Sequence, residues 1–295
     1  MPNLKEVRSR INSVKSTQQI TKAMKMVSAA KFRKAQDAIT KMRPYAESLK
    51  KIIANLSATM DGSFNSNFTE ARDPQRVWIV VITSDRGLCG TFNNNVIKSA
   101  LSLAQEKYTR QLQAGNVKFL TIGNKGLDSL SRKSVNIISD FSTTFQNLSF
   151  EKVRNVGEYI LNGFLNHEVD RVEMVYNEFI NVLTQAVRQQ QFLPVVPTEM
   201  ITKNLIVSNT EYIFEPSKEE IIKELIPKNL KIQLYKSILD SNAAEQGARM
   251  TAMDKATENA EALVKDLQLV YNKTRQAAIT KEILEIVGGA EALKG

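Results

Sequence analysis

The chain has 295 residues, of which 42% are hydrophobic and 24% charged, with a net charge of +9, one cysteine and one histidine. That composition allows one or two cored domains and no disordered class; a lone Cys89 excludes an internal disulfide, a CxxC redox pair and a cysteine-based zinc site. His167, equally alone, argues against a His-ligated metal centre or a Ser-His-Asp triad.

The basic excess is local. Residues 1–57 carry 13 Lys+Arg against 3 Asp+Glu, residues 58–215 carry 15 against 16, and residues 216–295 carry 12 of each. A basic N-terminal segment suits a phosphate backbone, an anionic membrane or an acidic protein sleeve, and composition alone does not choose among them.

Between Asn3 and Asp61 there is no glycine, so the chain opens on a helix of roughly 80 to 90 Å at 1.5 Å per residue. Leu4, Val7, Ile11 and Val14 are spaced 3, 4, 3, and the seam is expected to continue through Gln18 and Thr21 to Met24 and Val27. Its small members, among them Ser28, Ala29, Ala30, Ala35 and Ala38, predict a slim coil. Pro44 predicts a bend near residues 40–44 without loss of the helix, which ends by Asp61-Gly62.

Residues 62–75 read as a polar linker, after which the hydrophobic period changes. Arg76 to Thr83 is a β-branched apolar run expected to be a buried strand. A helix from about Asn94 to Tyr108, a strand at Val117–Ile122, a short helix near Gly126–Arg132, a strand at Val135–Ser139, a helix from Phe150 to Asn166 and a strand around Val172–Ile180 follow. Such alternation predicts an α/β layer with a largely parallel sheet, and Val182–Val196 one more strand, antiparallel to its neighbour. Leu205–Phe214 mixes apolar and polar residues. Ser217 is placed to cap a short helix that Pro227 interrupts, and a second rod is predicted from Lys228 to Val287, stopping at Gly288-Gly289. Its seam is read as Leu263, Leu267, Val270, Thr274, Ala277, Lys281 and Leu284. Two long rods flanking a folded insert most easily lie antiparallel, which implies a mechanical part.

Two glycine loops of the insert, Gly87-Leu88-Cys89-Gly90 and Gly123-Asn124-Lys125-Gly126, fit neither G-x-G-x-x-G nor G-x-x-x-x-G-K-[ST] and are read as structural turns. Without a paired acid and base near Asp85 and Arg86, no catalysis, cofactor or metal is expected. Arg275, Gln276 and Thr280 make a polar run on the second rod, suited to directional bonds with a carboxylate or backbone group.

Three stretches together resemble the gamma subunit of bacterial F-type ATP synthases: Ile20-Thr21-Lys22-Ala23-Met24-Lys25-Met26-Val27-Ser28-Ala29-Ala30-Lys31, Ser84-Asp85-Arg86-Gly87-Leu88-Cys89-Gly90, and Ala248-Arg249-Met250-Thr251-Ala252-Met253 with the run from Leu269 to Thr280. The resemblance covers the whole chain, in the family's order. It implies an antiparallel coiled-coil shaft of residues 1–61 and 217–295 with a Rossmann-like α/β domain at 62–216, serving as a non-catalytic central-stalk rotor. The implied partners are the alpha and beta subunits of the ATPase ring, an epsilon subunit and the c ring, with no nucleic acid and no direct membrane insertion.

By the same resemblance, Arg275, Gln276 and Thr280 match residues that engage a catch loop of beta, and Met24 and Arg249 match positions facing its acidic lever loop. Ile283, Leu284, Ile286 and Val287 match the shaft tip held in the ring's collar, and Tyr212, Phe214 and Glu215 the foot near the c ring and epsilon. Thr91 stands where the family usually has a second glycine, and the cysteine insertion of the chloroplast relatives is absent, so thiol switching is not expected. A start at Met1 without an apolar signal core or transit segment favours a bacterial chain that stays on the cytoplasmic side, and the resemblance implies peripheral attachment at the cytoplasmic face of the inner membrane. The competing readings are a basic coiled-coil arm that binds nucleic acid, against which residues 1–57 offer only Phe32 and Tyr45 for stacking, and a nucleotide-dependent α/β enzyme, which lacks a phosphate loop.

Overall fold

A computed structural model describes residues 3–58, 67–70, 72–146, 148–182, 184–195 and 217–292. In chain order these form α1 (Leu4–Ala58), β1 (Val77–Ile82), α2 (Phe92–Lys107), α3 (Thr109–Gln113), β2 (Val117–Ile122), α4 (Asn124–Leu130), β3 (Asn136–Ile138), α5 (Phe150–Leu165), β4 (Arg171–Phe179), β5 (Gln185–Leu193) and α6 (Lys218–Ala292). Their contacts divide into two compact units, Met1–Ala29 with Arg249–Gly295, and Ala30–Ala248.

The larger unit is built on a five-stranded sheet in the order β3-β2-β1-β4-β5, parallel except for β5, which runs antiparallel to β4 as its position predicts. All six residues of β1 are buried because both faces are covered. Trp78, Val80 and Ile82 face a core shared with α5 and the segments of α1 and α6 in this unit, where Leu49, Ile226, Leu230, Leu234 and Ile238 are buried. Val77, Ile79 and Val81 face the other way, onto α2. Gly163 of α5 lies over the Trp78 indole so closely that a Cβ there would sit 2.6 Å from the ring. Only hydrogen fits. On the opposite face Glu173, buried in β4, accepts a 2.6 Å hydrogen bond from the Tyr108 hydroxyl. Burial, then Glu173, pushes that phenol's pKa up.

The insert elements lie within a few residues of their sequence boundaries; the expected interruption and stop of the second rod do not hold. Pro227 lies inside α6 and does not interrupt it. An internal proline costs about 3 kcal/mol, yet Ile226, Leu230, Ile232 and Leu234 on either side of it are buried, each worth about 1.5–3 kcal/mol. Burial wins. Ser217 does cap the helix, its hydroxyl accepting from the Glu220 amide at 3.3 Å. At the other end α6 continues through Gly288-Gly289 to Ala292. Neither glycine meets a neighbour, and glycine weakens a helix by about 1 kcal/mol without removing a hydrogen bond, so two of them are no stop by themselves.

In the smaller unit α1 and α6 run antiparallel. Thr21 and Thr257 share a 2.7 Å hydroxyl hydrogen bond, and one turn on Lys25 Nζ lies 2.5 Å from Asp254 Oδ1. Leu4, Val7, Ile11, Val14, Gln18, Thr21, Lys25 and Ser28 of α1 are buried or half-buried here and alternate in steps of three and four, with Met24 and Ala29 half-buried beside them. The expected step from Met24 to Val27 is wrong: Val27 is 55% exposed and Ser28 only 2%. Two successive steps of three turn the helix about 120° away from the seam, whereas seven residues return within about 20° of it. The same slip affects α6, where Leu263 and Val270 point outward, and Val264 and Tyr271 take their places beside Ala260, Leu267 and Thr274.

Candidate partner-contact site

At the carboxyl ends of β1 and β2, where a doubly wound sheet normally receives a ligand, the groups that hold phosphates elsewhere are already engaged. The Gly126 amide donates to Thr83 Oγ1 at 2.8 Å, the Lys125 amide to the Ser84 carbonyl at 3.0 Å and the Asn124 amide to Asp85 Oδ1 at 3.3 Å. Thr83 therefore sits where an anion would sit at the start of α4. Gly123, at φ +102°, is required because a Cβ there would run into the Thr83 carbonyl. In the first loop Asn93 Oδ1 accepts from the Ser84 amide at 2.9 Å, and Thr91 takes φ −84°, which needs no glycine. The crevice beside β4 is filled from α6: Ala244 and Ala248 lie against Cys89, Phe92 and Phe179. Both loops are held by these internal hydrogen bonds.

The exposed chemistry lies on α6. Carrying the Thr21–Thr257 register down the coil sets Leu4, the first helical residue of α1, beside Thr274. From Arg275 to Ala292, α6 runs on past the start of α1, with no helical partner among the described residues. Ile283, Leu284, Ile286 and Val287 are 52–71% exposed on this stretch. Arg275 and Gln276 are exposed and, among the described residues, make no side-chain hydrogen bond or ion pair; Thr280 is exposed, its hydroxyl donating back to the Gln276 carbonyl at 2.9 Å. Lys281 and Leu284, expected in the seam, are exposed because α1 has already begun above them. Met24 is half-buried in the smaller unit, and Arg249 is only 8% exposed. Tyr212, Phe214 and Glu215 lie outside the described residues.

The structure thus brings Arg275, Gln276, Thr280 and the four apolar tip residues together on one exposed helix end. Counting the register from both helices, not reading α6 alone, is what reveals the overhang. A family model described as ATP synthase matches residues 3–293. The chain is 56% identical over 293 residues to the ATP synthase gamma chain of Cytophaga hutchinsonii, covering 99% of each, and 56% identical over 295 residues to that of Flavobacterium psychrophilum, covering all of both. This chain belongs to the ATP synthase gamma-chain family.

The fold agrees. The rotor of the Euglena gracilis mitochondrial ATP synthase superposes with a TM-score of 0.63 at 19% identity, covering 94% of this chain and 98% of that one. A chain of the central stalk and c ring of the Tetrahymena thermophila enzyme gives 0.57 at 24% identity over 80% and 99%. At such identities the likeness is one of fold, and the gamma-chain assignment rests on the bacterial relatives.

Proposed function

We propose that this chain is the rotating central-stalk subunit of a proton-translocating ATP synthase, carrying torque between a membrane c ring and a catalytic ring of alpha and beta subunits without performing catalysis itself. The observation that carries this reading is the overhang of α6: a paired coil that thins to one helix whose Ile283, Leu284, Ile286 and Val287 lie open to solvent. A bare apolar tip on a stiff helix calls for a surrounding collar.

In this reading residues 1–61 and 217–295 act as the shaft and 62–216 as the body. Arg275 and Gln276 form charge-assisted and amide hydrogen bonds to a beta loop, with Thr280 accepting through its free lone pairs. Met24 and Arg249 stand toward the acidic lever loop of beta, and the basic surface of α1 complements that loop's charge. The segment around Tyr212, Phe214 and Glu215 contacts the c ring and epsilon. Among the described residues no helix is long and apolar enough to cross a membrane. Attachment at the cytoplasmic face of a bacterial inner membrane then comes through the c ring. As the shaft turns, its unlike faces meet each beta subunit in succession and change that subunit's affinity for nucleotide.

The test is isolation of a tagged chain from its own host membranes. Stoichiometric alpha, beta and epsilon subunits together with the c ring are expected, and Arg275→Ala with Gln276→Ala should lower ATP-driven proton pumping far more than removing two lysines of α1. Recovery of nucleic acid in place of the ATPase subunits would overturn the reading.

A further inference from the structure

Past the start of α1 the exposed end of α6 has two unlike sides. The line of residues that α1 covers, Ala260, Val264, Leu267, Tyr271 and Thr274, continues in steps of three and four through Ala278 to Lys281 and Glu285, which are exposed and joined by a 3.5 Å ion pair. On the other side Ile279, Ile283 and Ile286 follow one another in steps of four and three, with Val287 beside them and Leu284 at the margin, all of them 47–71% exposed. At about 100° per residue the three isoleucines lie about 120° to 180° round the helix from Thr274. This apolar face is therefore no unused remainder of the seam with α1. A longer α1 would meet Lys281 and Glu285, and the isoleucines would still face outward.

We propose that in the free chain this face is closed by the same face of a second copy, the two α6 ends lying antiparallel. Setting Ile283 of one copy against Ile286 of the other repeats that contact across the two-fold axis and also places Ile279 against Ala290 twice. No like charges meet at the margins: Glu282 falls beside Gly289 of the second copy, and Thr280 beside Val287. Residue 292, where α6 ends, then reaches residue 277 of the other copy, so each exposed end spans the other and stops short of Thr274, beside which α1 begins. A parallel pair would set two basic helix starts side by side, since Lys5, Arg8, Arg10 and Lys15 stand against Glu6 alone among the first fifteen residues. Because α6 is already helical through the coil above, pairing needs no new helix nucleus, the step that limits isolated helices shorter than about 12–15 residues. The seam holds only a few residues and is reversible, so a collar enclosing the tip from all sides displaces it. The pairing itself does not depend on the rotor assignment.

Sedimentation equilibrium of the purified full-length chain between about 1 and 100 μM tests it. A monomer–dimer equilibrium is expected that changes little with salt, because its contacts are apolar. Ile283→Asp should shift it about 100-fold or more toward monomer, since symmetry carries the change into the interface twice, and should leave the melting temperature of the dilute monomer unchanged. The charge swap Lys281→Glu with Glu285→Lys, on the opposite side of the helix, should leave the dimer as it was. Orientation is read by thiol crosslinking under a mild oxidant in a Cys89→Ser background. Ile279→Cys alone should not crosslink, because in the antiparallel pair the two introduced thiols lie about 16 Å apart along the helix, whereas Ile279→Cys with Ala290→Cys should give disulfide-linked dimers. A chain that is monomeric at every concentration, a dimer that survives Ile283→Asp, one that the charge swap abolishes, or efficient crosslinking by Ile279→Cys alone would overturn the proposal.

Discussion

In the sheet-bearing unit the largest fully buried side chains are Trp78, Phe119, Phe164 and Phe192, whereas the coil of residues 4–29 and 249–292 buries Val7, Ile11, Thr21, Ser28, Ala260 and Val264, with Arg249 and Met253 its longest buried side chains among the described residues. The first set fills a volume between layers, where bulky rings bury the most area per residue. The second lets two helices approach closely, with a threonine pair and a partly exposed ion pair among the contacts that supplement a thin apolar seam. A body can be wide; in the proposed role the coil gains from being narrow, and accepts weaker cohesion per residue for it. The coil's residues are chosen for diameter as much as for stability.

The largest effect should come from the body. Trp78→Ala removes the ring that stacks on Tyr159 at 5.4 Å between centroids, and should cost about 3–5 kcal/mol in chemical unfolding of the purified chain. A change below about 1 kcal/mol would mean that the body is not packed more demandingly than the coil. Gly163→Ala comes next, at about 1–3 kcal/mol, because the new methyl meets the Trp78 ring. A smaller ring at position 78 should relieve it, so the double variant Trp78→Phe/Gly163→Ala should lose less than the two single losses added together.

In the coil the changes should be small. Replacing Thr21 and Thr257 together by valine exchanges a hydrogen-bonded pair for an apolar pair of equal shape, and should leave stability within about 1 kcal/mol of wild type. A loss of several kcal/mol in melting experiments would show that the hydroxyl pair fixes the register. Smallest of all, Arg275→Ala with Gln276→Ala should not shift the melting temperature of the isolated chain, because neither side chain has a partner among the described residues. Any loss should appear only in assembly and proton pumping. A lowered melting temperature would place those residues in the fold and not on a contact surface.

How far this chain could be read without its structure varies along it. The strand at Val117–Ile122 and the helix beginning at Phe150 were legible because their hydrophobic period is set by backbone geometry and bounded by polar turns. Seams were legible only to within one residue: Val27 and Ser28 look alike to a search for apolar spacing, and the outward turn of Val27 follows from phase accumulated over the whole helix. Pro227 and Gly288-Gly289 carry local stop signals of a few kcal/mol at most, and a sequence does not say which neighbours will outweigh them.

By itself, then, the sequence determined two glycine-poor rods around an alternating α/β insert, a basic first rod, and glycine loops without phosphate spacing, because each depends on residues close together in the chain. Tertiary structure alone decided that Thr83 occupies the anion position of α4, that Ala244 and Ala248 fill the crevice beside β4, and that α6 outruns α1 from Arg275 onward. These are consequences of register between segments some forty to two hundred and forty residues apart, and no local pattern encodes the offset at which two helices or a strand and a loop will meet.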